Sequence, residues 1–186
     1  MGKQLLKAGT SLAPIPASLI SCGTLDGQKN LISLAWVGIV NSDPPMLSIS
    51  VRPQRHSYNM IKDSGEFVVN VPSEALLQAV DYCGNTSGRD VDKFAATGLT
   101  AMAASKVSAP IVAECPLNLE CRVRQQIPLG SHDLFLAEIV AVQADDSVLE
   151  NGRLNPGKLK TFGYGGGEYL SVHGSLGRNG AHFRKS

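Results

Sequence analysis

The sequence predicts a mostly antiparallel β-barrel with a few short helices, a mainly β architecture of the α+β kind. Three observations carry that expectation. Short strand-like runs dominate and do not alternate regularly with helical stretches, which argues against a doubly wound parallel sheet. Residues 117–125 alternate, with Leu117, Leu119, Cys121 and Val123 on one face. Residues 134–142 are apolar on both faces, so such a strand must be covered twice, by a barrel interior and by a helix or partner subunit.

Taken in order, residues 17–22 lead in as a strand, followed by 31–40, 46–51 and 67–71. Asp43-Pro44-Pro45 separates two of these runs, because proline has no N–H to give to a ladder. Helices are expected at 57–63, at 73–82 and in a short segment starting near Ser87, where "SGRD" fits a capping box. From Gly163 onwards the chain is glycine-rich and weakly apolar, and reads as loop or surface arm. Its clusters "GYGGGEYL" and "GSLGRNG" lack the strand before and helix after that a dinucleotide fingerprint requires, and read as loops. The expectation is one domain over 1–186, with 152–186 a Gly-rich C-terminal extension.

At 186 residues the chain can bury one real core, and a second full domain would be cramped. A formal net charge of +1 gives no electrostatic case for nucleic acid or membrane as the main partner, though it leaves room for a small anion. The N-terminus has no apolar core followed by a small-residue cleavage site, and the run at 31–40 is too short for a bilayer, which takes roughly 20 residues. Cytoplasm is the default compartment. Cys22, Cys83, Cys115 and Cys121 form no C-x-x-C pair and have no histidine at ligand spacing, so no metal is expected. Cys22, Cys115 and Cys121 read as small buried apolar residues. No phosphate-binding P-loop, H-E-x-x-H or G-x-S-x-G occurs.

Four stretches could hold chemistry. In "SISVRPQRHSYNMIKDSGEF" a strand runs into Arg52, Arg55 and His56, with Ser57 opening a helix. Unpaired N–H groups at a helix start, guanidinium forks and a hydroxyl together suit a phosphate; the alternative is a plain N-cap with solvated arginines. In "CGNTSGRDVDKF" the small residues Gly84, Ser87 and Gly88 permit close backbone approach, while Arg89 and Lys93 could reach a second anionic group. The alternative there is a turn and a capped helix with Asp90, Asp92 and Lys93 as its wet face. In "GSHDLFLAEIV" His132 could hydrogen-bond a ligand or shuttle a proton, or simply face water. In "KNLISLAWVGIV" Asn30, Ser33 and the single tryptophan, Trp36, lie on a strand whose polar groups need partners, from a planar heteroaromatic ligand or from neighbouring backbone.

Together and in this order the segments "KNLISLAW", "PPMLSISVRPQRHSYNMIKDSGEFVVNVP", "CGNTSGRDVDKF", "GLT" and "HDLFLAEIV" resemble the flavin reductase-like family, most closely its flavoredoxin branch. The likeness runs from about Pro14 to Val142. It implies a split β-barrel that binds FMN without a covalent bond, usually at a homodimer interface. The resemblance puts the phosphate near Arg52, Arg55, His56 and Ser57. Asn30, Ser33, Ala35 and Trp36, with Ser50 and Val51, would line the isoalloxazine and ribityl groups. Cys83, Gly84 and the 87–93 stretch, including Ser87, Gly88, Arg89 and Lys93, would close over the flavin from a loop. His132 falls where related reductases place a histidine near the nicotinamide, although there glycine and aspartate commonly precede it and here Gly130 and Ser131 do. The implied activity is an FMN-dependent oxidoreductase using NADH or NADPH as a transient co-substrate and passing electrons to free flavin, a ferric complex or another small acceptor. The alternatives are a flavoredoxin-type carrier that exchanges electrons with a redox protein partner, and a flavin-binding barrel with no redox role.

Overall fold

The structure is a computed structural model and describes residues 2–172, 174–177 and 179. Strands β1 (Ile15–Pro16), β2 (Ser18–Gly23), β3 (Lys29–Leu34), β4 (Val37–Ser42) and β5 (Pro45–Val51) come first. Helix α1 (His56–Ser64), strand β6 (Glu66–Val71), helix α2 (Leu77–Asn85, entered through a 3-10 turn at Glu74–Leu76) and helix α3 (Lys93–Thr97) follow. A short pair, β7 (Ala101–Met102) and β8 (Ile111–Val112), precedes the long strands β9 (Leu117–Pro128) and β10 (Asp133–Ala144). Last come β11 (Leu149–Glu150), β12 (Arg153–Leu154), β13 (Phe162–Gly165) and β14 (Glu168–Ser171).

Seven strands form one antiparallel sheet in the order β3-β2-β6-β9-β10-β5-β4. Its two edge strands, β3 and β4, are consecutive in the chain and joined only by Ala35 and Trp36. The expected single strand over 31–40 is therefore two. Leu34 pairs with Ser18 on one side of the barrel and Val37 with Ile49 on the other, so the chain must break step between them. This junction splits the barrel.

Alternation sets the core. Ile20, Cys22, Ile32, Leu47, Ile49, Val51, Phe67, Cys121 and Phe135 point into the barrel, and α1 closes it with Tyr58 and Ile61. On the other face of β2 and β3, Leu19 and Leu31 pack with Val80 and Cys83 of α2, Phe94 of α3 and Phe162 of β13. Strand β2 is thus covered on both faces, as is β6, whose Phe67 and Val69 enter the barrel while Val68 packs with Ala109 and Ile111 outside it. On β10, Phe135 and Ala137 are buried, while Leu134 and Leu136 are half-buried and Val142 is 58% exposed.

Two further expectations change. The short helix begins at Lys93, not near Ser87: the Asp92 carboxylate caps it, accepting from the N–H groups of Phe94 (2.9 Å) and Ala95 (3.2 Å), while Ser87 closes a turn with Asp90. Past Gly163 the chain is not a loose arm. Strands β13 and β14 form a hairpin paired to β1, because Gly166 (φ 64°) and Gly167 (φ 90°) both adopt the positive φ that a two-residue turn of this kind needs. The stretch from 152 is built into the domain through buried Phe162 and Leu159. His173, Arg178 and residues 180–186 of the expected arm, two of them in "GSLGRNG", lie outside the described residues.

Candidate functional site

The connector from β5 to α1 delivers Arg52, Arg55, His56 and Ser57. Arg55 holds the cap position of α1 in extended conformation (φ −70°, ψ 141°) without a side-chain cap bond. Among the described residues the N–H groups of His56 and Ser57, in the helix's first turn, have no backbone partner. Ser57 is therefore inside the helix rather than its cap, and it is fully buried. Its hydroxyl accepts from Asn30 Nδ2 at 2.8 Å, tying α1 to β3.

The loop between α2 and α3 closes over this turn. A Cβ on Gly88 would lie 2.1 Å from Asn30 Oδ1, so only glycine allows that approach. Cys83 and Gly84 are not loop residues but the last turn of α2, where a Cβ on Gly84 would touch Ser33 at 3.4 Å. Ser33 in turn donates its hydroxyl to the carbonyl of Val80. Arg89 donates to the carbonyl of Gln54 at 3.1 Å, and Lys93 Nζ, almost completely buried, donates to the carbonyls of Leu31 (2.8 Å) and Cys83 (2.7 Å).

These contacts enclose a cavity of about 180 Å³ lined by Asn30, Arg55, His56, Ser57, Cys83, Gly84, Ser87, Gly88, Arg89 and Lys93, together with Ile32, Gln54 and Thr86. The two sequence stretches thus line one basic cavity rather than two. No carboxylate is in the lining, and among the described residues neither Arg55 nor Arg89 makes an ion pair. The charges act on one another. Burial, then Arg89 and Lys93, hold His56 below its ordinary value of 6.5. Burial, reinforced by Arg55, lowers Lys93 as well. Burial pushes the Cys83 thiol up to about 11, so it is neutral at physiological pH. A pocket of clustered cations, unpaired helix N–H groups and no acid fits a phosphate monoester.

Ile32, Arg55 and Gly84 also line a second recess of about 90 Å³, with Ser33, Leu34, Ser50, Arg52 and His132. The β5–β10 ladder creates it: Val51 pairs with Asp133, which sets Arg52 beside His132. Arg52 Nε donates to His132 Nε2 at 3.4 Å, which leaves the imidazole proton on Nδ1, 2.9 Å from Ser131 Oγ. Burial first, then Arg52 and Arg55, keep His132 below 6.5 and thus neutral. Trp36, 42% exposed, has its ring centroid 4.5 Å from that of His132, and the Trp36 carbonyl accepts from Ser50 N. Ala35 borders a neighbouring cavity that shares Ser33, Leu34 and Gly84.

Of the sequence-predicted set, Ala35 borders the neighbouring cavity rather than the groove, and Val51 stands apart from both. Its side chain is fully buried in the barrel core, because strand alternation turns Ser50 to the groove and Val51 inward. Asp133, next to His132, also faces inward and accepts from Tyr58 (2.6 Å) and Gln126 (2.5 Å). Sequence reasoning missed Ile32, Leu34, Gln54 and Thr86. Gln54 and Thr86 lay inside the quoted stretches, unmarked by charge or glycine, whereas Ile32 and Leu34 carry no polar signal at all.

Residues 10–171 match the flavin reductase like domain, a longer span than the 14–142 on which the resemblance was seen, since the C-terminal hairpin belongs to it. The chain is similar to the flavoredoxin of Desulfovibrio vulgaris (Miyazaki F), with 32% identity, a TM-score of 0.91, and coverage of 98% of this chain and 100% of that one. The flavoredoxin from Methanosarcina acetivorans superposes with a TM-score of 0.89 at 28% identity, covering 98% of this chain and 100% of that one. A protein of Archaeoglobus fulgidus is 35% identical over 136 residues, 73% of this chain and 76% of its own length. The fold is the split barrel, and the chain belongs to the flavin reductase-like domain family.

Proposed function

We propose that the chain binds FMN in this groove and works as an oxidoreductase that takes electrons from NADH or NADPH and passes them to free flavin, a ferric complex or another small acceptor. The observation that carries the reading is the basic cavity: Arg55, His56, Arg89 and Lys93 converge with the open end of α1, and no acid neutralises them. The phosphate belongs there, held by Arg55, Arg89 and the His56 and Ser57 N–H groups. Ser33, Ser50 and Trp36 lie along the path from that cavity towards His132 and suit the ribityl and ring portions. When bound, FMN supplies the ring that exchanges hydride and single electrons. The chain's own residues bind and orient; none serves as acid or base. His132, neutral and held by Arg52, offers a hydrogen-bonding edge to a transient nicotinamide. A homodimer completes the site: edge strand β4, with Ile39 68% and Val40 51% exposed, directly follows Trp36 and offers an unpaired edge to a second copy.

A second reading is favoured by the flavoredoxin similarity over the whole chain: an electron carrier that exchanges electrons with a redox protein and does not use NAD(P)H. Anaerobic absorbance titration of FMN-loaded protein with NADH, then NADPH, separates the two. Rapid bleaching of the flavin band is expected. A flavin that stays yellow until dithionite is added overturns the reductase reading in favour of the carrier.

A further inference from the structure

A cavity of about 350 Å³ shares Ser33, Leu34 and Gly84 with the recess beside the basic cavity. Its chemistry is the reverse of the groove's. Tyr164 and Tyr169, a directly opposed pair on the β13–β14 hairpin, supply two rings with centroids 5.6 Å apart and inclined at 62°. Asp81 of α2 supplies a carboxylate. Lysine, arginine and histidine are all absent from the lining.

The carboxylate is fixed rather than neutralised. Asp81 Oδ1 accepts from Tyr169 Oη and from Asn85 Nδ2, each at 3.1 Å, and these hold it against the hairpin. Among the described residues its second oxygen has no protein partner and Asp81 makes no ion pair. Burial first, then the bond to Asp81, pushes the Tyr169 phenol up to about 12, so it remains a donor. The two rings meet edge to face rather than stacked, and both border the cavity, so it is offered an aromatic wall beside the carboxylate. A volume of this size suits a molecule of one or two rings.

We infer that this cavity is a second small-molecule site that takes a flat aromatic compound, uncharged or cationic, and turns away anions. Tyr164 and Tyr169 would contact the ring, and Asp81 would select the charge. As a seat for the electron acceptor this site would rest on the proposed flavin function, because it shares the wall of Ser33 and Gly84 with the groove; the binding itself does not.

Benzamidine, benzamide and benzoate share one ring and differ in charge, so they serve as probes. Each is titrated into the full chain, without FMN and at saturating FMN, while amide NMR shifts are followed at Ala35, Gly84 and Gly167. Benzamidine is expected to bind most tightly, benzamide roughly threefold more weakly and benzoate roughly tenfold more weakly, since the carboxylate is solvent-exposed. Asp81→Asn should abolish the difference between benzamidine and benzamide, and Tyr164→Ala should weaken both. Benzoate binding as well as benzamidine, or a charge preference that survives Asp81→Asn, overturns the inference. So does displacement of benzamidine by FMN, which would make the cavity the seat of the flavin ring. Benzamidine binding with no FMN binding would instead sink the flavin reading and leave this site standing.

Discussion

Arg55, at the cap position of α1, is the charged side chain that borders both the cavity at the helix start and the recess beside it. Replacing Arg55 with alanine should weaken FMN by about 1.5–3 kcal/mol, the range for a hydrogen bond to a charged group. Riboflavin, which lacks the phosphate, should bind the variant and the parent alike; flavin fluorescence quenching measures both. Equal losses for the two ligands would mean that Arg55 shapes the groove without touching phosphate. The histidines make a second claim. His56 and His132 are both held below 6.5 by burial and by neighbouring cations. In the ligand-free protein well above pH 6.5 both are neutral, folded or unfolded, and contribute no pH dependence. As pH falls below 6.5 the unfolded chain takes up these protons more readily, so stability declines in that window. NMR titration of the ring protons should give both values below 6.5, and FMN phosphate should raise that of His56. A value for His56 that FMN leaves unmoved would remove it from the phosphate site.

At the scale of elements, the site depends on three junctions. The β3–β4 break at Ala35–Trp36 brings Trp36 over His132; the last turn of α2 presses Gly84 onto Ser33; and the 87–90 turn leans on Asn30 through Gly88. The second core cluster holds α2 in place from behind. Phe162, 3% exposed, anchors the C-terminal hairpin there and packs edge-on to Tyr169 at 5.6 Å. Phe162→Ala should destabilise the protein by about 3–5 kcal/mol, read from the urea midpoint, because it empties a buried aromatic position. A shift under about 1 kcal/mol would show the hairpin to be an appendage after all, since surface substitutions stay within that range.

At the scale of the molecule, a single chain leaves apolar surface where a barrel protein would cover it. Ile39 and Val40 on edge strand β4 and Trp36 beside them are open, and Trp36 touches the groove's histidine. Light scattering on a sizing column at micromolar concentration should give twice the 19.7 kDa chain mass. Ile39→Asp should shift the species towards monomer and weaken FMN with it. A chain that stays monomeric at every concentration would leave the groove complete on its own. Among the described residues no helix is long and apolar enough to cross a membrane.

Much of this was legible in the sequence. Period-two alternation marked the long strands, because a half-buried strand must segregate its faces, and charge beside a strand–helix junction marked the residues of the basic cavity. The Ala35–Trp36 break was not legible: nothing local interrupts an apolar run whose two halves pair with different partners. Nor was the hairpin at 162–171, where glycines looked like looseness but supply a turn. Val51 looked like a groove residue, and only the barrel's inside fixed its face. The sequence by itself determined which chemical groups this protein has and which short stretches carry them. The tertiary structure alone decided that residues 52–57 and 83–93 share one cavity, and that Arg52, Trp36 and His132 meet. Those contacts depend on ladder register and helix packing, which are settled by distant partners competing for a single core.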